Sequence, residues 1–209
     1  MKHHFKIVLH TLTAILLPAV AFPAAAHHPM GGATPGTLME GLLSGLGHPV
    51  IGVDHLLFIV AVGVACYCFG QRKATVAVFL AGALGGTLLN LQVPMVPYAE
   101  AWVAASLILL GALFLWRNTL LNGKAAIVLF GLSGLAHGYA YGEAIAGAET
   151  TPLLAYLAGF TMIQLAIASC GYAAARYAAS ISVAPTFLKV AGSTLSVVGA
   201  GFLVFALGA

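Results

Sequence analysis

The chain has 209 residues, of which 61% are hydrophobic and only 6% charged. Soluble domains carry about 25% charged residues, so a water-soluble globular protein is excluded and an all-α polytopic membrane protein is expected. The net charge of +3 comes from eight scattered Lys and Arg residues, and no basic patch points to nucleic acid.

In chain order, residues 1–26 read as a cleavable signal peptide. Lys2 and Lys6 give a basic start, residues 7–20 an apolar core, and Ala24-Ala25-Ala26 a small-residue cleavage site. Cleavage there would leave His27-His28 at a new amino terminus, where an α-amine beside an imidazole is a potential chelate for Ni²⁺ or Cu²⁺. Residues 29–47 are rich in Gly and Pro, with a short interfacial helix expected over 37–46. Thr37 and Glu40 have the spacing of a capping box that would start it.

Six apolar runs follow, at 50–70, 74–92, 98–116, 124–142, 152–175 and 187–208. Each is close to the roughly 20 residues that a hydrocarbon core requires. Residues 27–209 therefore form one six-helix transmembrane domain. Arg72, Lys73, Arg117, Lys124, Arg176 and Lys189 all fall on one side of this arrangement, and Glu40, Glu100, Glu143 and Glu149 on the other. Positive residues mark the cytoplasm, which puts both mature termini in the periplasm and the chain in a bacterial inner membrane. Gly82, Gly85 and Gly86 give the second span a small-residue face for close helix packing. Three cysteines, Cys66, Cys68 and Cys170, lie inside apolar runs and do not make a disulfide framework. Cys66 and Cys68 are two apart and point to different helix faces, so packing is their expected role, as it is for Met95 and Met162.

The chemistry sits in two segments. His48-Pro-Val-Ile-Gly-Val-Asp-His55 places two imidazoles and a carboxylate where a span should hold hydrocarbon, and a buried charge there costs at least about 2.5–3.5 kcal/mol. In a continuous helix His48 and His55 would be roughly 10 Å apart, too far to share one ion. Pro49 and Gly52 lie between them and permit an irregular opening turn. Asp54 is placed either to ligate or to accept the ring N–H of His55. The second segment is His137-Gly-Tyr-Ala-Tyr-Gly-Glu143, at the outer end of the fourth span, where a helix C-terminus favours a cation. Both segments reach the same leaflet. Together they predict a metal site of His48, Asp54, His55, His137 and Glu143, with His27 and His28 as further candidates at the mouth.

These two motifs, with the signal, the histidine-bearing mature start and the six spans, resemble the HupE/UreJ family of nickel and cobalt permeases. The resemblance covers essentially the whole chain. It implies uptake of Ni²⁺, or Co²⁺, as the transported substrate, with no permanent cofactor and no enzymatic activity. It carries His48, Asp54, His55, His137 and Glu143 over as the motif residues. The chain departs from the family in having Tyr141 where a second histidine of that motif usually stands. Its fifth span offers only Gln164 and Ser169 where relatives often have a histidine. Two other readings fit the same residues: an intramembrane metalloenzyme, and a non-transporting accessory that hands metal to a hydrogenase or urease maturation partner. The expected partners are thus a divalent metal ion and the lipid bilayer.

Overall fold

A computed structural model describes residues 33–69, 72–94, 96–116 and 123–208. The candidate signal peptide, His27 and His28 lie outside the described residues. All regular structure among the described residues is helical: α1 (Leu38–Ile51), α2 (Val53–Cys68), α3 (Arg72–Gln92), α4 (Ala99–Trp116), α5 (Gly123–Gly142), a 3₁₀ turn (Glu143–Ile145), α6 (Thr150–Ser180) and α7 (Ala184–Gly208). Helices α3 to α7 are each long and apolar enough to cross a bilayer, and α1 with α2 add a sixth span if the bent pair is counted as one. Large apolar side chains such as Leu154, Met162, Val197 and Val204 point outward, as a hydrocarbon surround requires.

The first span differs from the sequence expectation. The helix expected over 37–46 runs on through His48 and Pro49 to Ile51, and a second helix leaves it at 81°. Its start is well specified. Glu40 N donates to Thr37 Oγ1 at 3.2 Å, while Glu40 Oε2 accepts from Thr37 N at 3.2 Å and Gly36 N at 2.8 Å. Such a cap contributes about 1 kcal/mol. Its last turn contains Pro49, which has no N–H to return to the preceding turn. The last capping bond is Gly52 N to His48 O at 3.1 Å, after which Gly52 turns extended at φ −72°, ψ 104°. Leu56 N to Gly52 O at 2.8 Å then opens α2. The irregular turn expected at Pro49 and Gly52 is therefore present, as a full break between two helices.

Glycines decide which helices touch. Helix α3 packs on α5, α4 on α7, and both α1 and α2 on the long α6. In the first seam Gly82 and Gly86 lie against the backbone of Gly131 and Leu135, while Gly134 and Gly138 lie against Phe79 and Ala83. In the second, Gly111 faces Gly192. In the third, Gly41 backs onto Pro152 and Gly45 onto Tyr156, and past the break Gly63 backs onto Ala168. Small residues at these contacts let backbones approach where lipid gives no hydrophobic drive for association. The seam makes a sharp comparison possible between two neighbours. A Cβ on Gly86 would collide with the Leu135 carbonyl, whereas one on Gly85 has only a Leu135 methyl at 3.9 Å. Gly86→Ala is expected to destabilise the folded protein by about 1–3 kcal/mol through overpacking, and Gly85→Ala to be neutral or mildly stabilising through helix propensity. Thermal unfolding of both variants in detergent measures the contrast.

Candidate metal centre

The helix break sets the chemistry. His48 lies in the last turn of α1 and Asp54 in the first turn of α2. The partial negative charge at the end of α1 favours a cation, and the partial positive charge at the start of α2 favours the carboxylate. Asp54 Oδ1 accepts from His55 N at 2.8 Å, satisfying one of the amides that a helix start leaves open. Gly52 is needed for space here: a Cβ would stand 2.7 Å from His55 Cδ2 and 3.3 Å from Asp54 Oδ1.

Helix α5 brings His137 to the same point. His55 Nδ1 and His137 Nδ1 are 2.8 Å apart, and the two rings meet edge to face at 5.0 Å. The His48 ring is 5.8 Å from that of His55. All three imidazoles are at most 1% exposed and Asp54 is 4% exposed. Tyr141 packs against these rings. Its ring lies 4.5 Å from His55 and 5.0 Å from His48, and its buried hydroxyl has no hydrogen-bond partner among the described residues. The neighbouring Tyr139 serves the loop instead, donating to Val93 O at 2.6 Å and accepting from Val96 N at 2.8 Å.

Two residues of the cluster carry no sequence signal. Ser106 of α4 contacts His137 Nε2 at 3.0 Å and donates to Val103 O at 2.6 Å. Tyr156 of α6 contacts His48 Nδ1 at 3.1 Å and donates to Tyr141 O at 2.8 Å. A lone serine inside an apolar run, or a tyrosine near a span end, looks like packing or interfacial anchoring. Only the i, i+4, i+8 row of Tyr156, Phe160 and Gln164, all fully buried, would have hinted at a polar face on α6. Gln164 is on that row with Nε2 on Phe160 O at 3.1 Å, whereas Ser169 is exposed and bonds Leu165 O within its own helix.

The structure thus gathers His48, Asp54, His55 and His137 at the break, and leaves Glu143 exposed in the 3₁₀ turn after α5. Among the described residues, no three His, Cys, Asp or Glu side chains stand ready around one ion. One physical reason is visible, since His55 and His137 spend a ring nitrogen each on one another. Cys66 is buried and Cys68 exposed, so the two face apart as their spacing requires. The cleft beside Cys66, about 490 Å³ between α2, α3 and α6, is apolar and includes none of the cluster residues in its lining.

The comparison with known proteins agrees with this architecture. A family model described as HupE / UreJ protein matches residues 14–202. The chain belongs to the HupE/UreJ family. It is 30% identical over 192 residues to Protein HupE of Rhizobium leguminosarum bv. viciae, covering 90% of this chain and 95% of that relative. No solved structure matches it. For this HupE/UreJ protein the position of Gly52 gives a direct test. Gly52→Ala is expected to push the His55 ring away and break its contact with His137, lowering stability by the roughly 1–3 kcal/mol of an unsatisfied buried polar group. A structure of the variant with the 2.8 Å contact intact would contradict this.

Proposed function

We propose that this protein is an inner-membrane permease that carries a first-row divalent cation, Ni²⁺ or Co²⁺, from periplasm to cytoplasm. The observation that supports it most is the burial of three imidazoles and a carboxylate from α1, α2 and α5 at a helix break inside an apolar bundle. Intramembrane ionisable groups mark ion pathways, and half-helix ends at a broken span are a recurring way of building transporter ion sites. Imidazole suits nickel and cobalt, and membership of the family points the same way.

The ion enters at the end where α4 and α6 begin and α5 ends. His137 lies five residues inside that end, Tyr156 six and Ser106 seven, which places the cluster about 8–10 Å below it. Exposed Glu143 supplies negative field at this rim, and His27 and His28 would capture ions above it. His48, Asp54, His55 and His137 then replace water around the cation, while the Tyr141 hydroxyl holds a remaining water. The phenol itself stays protonated and is a poorer ligand for such a cation than an imidazole. Because transport requires release, the competing His55–His137 hydrogen bond is useful: the ion must displace it, and its return helps the ion leave. A divalent cation moving inward gains about 4.6 kcal/mol per 100 mV of membrane potential.

Proteoliposomes carrying the purified protein should take up ⁶³Ni saturably, with Co²⁺ competing. His55→Ala, His137→Ala and Asp54→Asn should each reduce uptake at least about 10-fold, the lower bound for disturbing even the partners of metal ligands. Tight binding without flux in the native protein would refute transport and leave a metal-handling accessory.

A further inference from the structure

Two hydroxyl groups outside the sequence motifs dictate the tautomers of two histidines. A serine or tyrosine hydroxyl has one hydrogen to give, and a backbone carbonyl can only accept. Ser106 Oγ lies 2.6 Å from Val103 O. Two oxygens that close repel unless a hydrogen lies between them, so the hydroxyl proton goes to the carbonyl. The Ser106 oxygen is then an acceptor, and His137 must donate to it from Nε2–H across 3.0 Å. That leaves the lone pair of His137 on Nδ1. Tyr156 repeats the logic on the other side of the cluster. Its proton goes to Tyr141 O at 2.8 Å, a carbonyl in the last turn of α5 that can only accept. His48 must therefore donate to Tyr156 from Nδ1–H across 3.1 Å, with its lone pair on Nε2. His55 follows from His137: facing a lone pair at 2.8 Å, it donates from Nδ1–H.

We propose that Ser106 and Tyr156 are positioning residues, which fix Nδ1 of His137 and Nε2 of His48 as the atoms offered to the cation. The tautomer assignment stands on hydrogen-bond geometry alone; its use in binding rests on the metal-transport reading above. In metal sites the ring nitrogen turned away from the ion is held by an outer partner, whose loss costs 10–100-fold in affinity. Here the partners are hydroxyls, each locked by a backbone carbonyl so that it cannot switch from acceptor to donor. The same logic gives His55 a gating role, since its N–H occupies the His137 atom that the cation needs.

The test is ¹⁵N NMR of histidine-labelled full-length protein in nanodiscs, at a pH where the rings are neutral, followed by Ni²⁺ titration of the same samples. His137 should show a protonated Nε2 and bare Nδ1, and His48 the reverse. Ser106→Ala should disturb the His137 pattern, and with it that of His55, while sparing His48, and Ser106→Thr should restore both; Tyr156→Phe should disturb only that of His48. A protonated Nδ1 on His137 in the native protein, or unchanged spectra in Ser106→Ala, overturns the assignment. Ni²⁺ affinity should fall about 10–100-fold in Ser106→Ala and Tyr156→Phe. Altered tautomers with unaltered affinity refute the positioning role. Native protein with the expected tautomers but no affinity for Ni²⁺ or Co²⁺ instead refutes the transport reading and leaves the tautomer assignment intact.

Discussion

A helix interrupted inside an apolar bundle exposes backbone amides and carbonyls that no solvent is there to satisfy. The interruption at Gly52 is held because each half of the broken span has its own glycine seat on α6, Gly41 and Gly45 before it and Gly63 beyond it. Helix α6 runs for 31 residues without a break, so it acts as the splint for two shorter pieces. Of the polar ends it holds together, the start of α2, with its partial positive charge, is stabilised by the Asp54 carboxylate, and the end of α1 carries the His48 imidazole.

The burial of so many polar groups is tolerated because they serve one another. From Val103 O the chain of contacts runs through Ser106, His137 and His55. From Tyr141 O another runs through Tyr156 to His48. A half-satisfied network of this kind would cost more than an apolar core. The hydroxyls matter for that reason: they connect ring nitrogens of His137 and His48 to backbone oxygens. Tyr141 packs among the rings without joining either chain through its hydroxyl.

Much of this was legible in the sequence. Apolar runs the length of a bilayer give the spans, and polar residues inside them stand out against such a background. The capping box at Thr37 and the Pro49–Gly52 interval told where α1 begins and where it must yield. What the sequence hid was continuity: the residues after Thr37 carry a helix straight into His48, so the motif belongs to two helices where a single span was expected over 50–70. Helix α6 also outran its expected 152–175, because Thr150 and the alanines up to Ser180 prolong it beyond its most apolar stretch. Ser106 and Tyr156 were invisible for a different reason. One hydroxyl in an apolar run has no period and no spacing partner, and its importance comes only from what the fold places against it. Glu143 shows the reverse: near to His137 in sequence, yet turned outward by the 3₁₀ turn in which it sits.

The glycine seams sort the helices into three clasped groups: α3 with α5, α4 with α7, and α1, α2 with α6. Each group sends something different to the centre. The first delivers His137, the second Ser106, and the third His48, Asp54, His55 and Tyr156. The imidazole pair and the serine contact therefore bridge separate bodies, while the backbone-to-backbone clasps lie within them. Sliding one body past another would part His55 from His137 while leaving the glycine clasps inside each body shut, so the polar contacts are the ones that register any such movement.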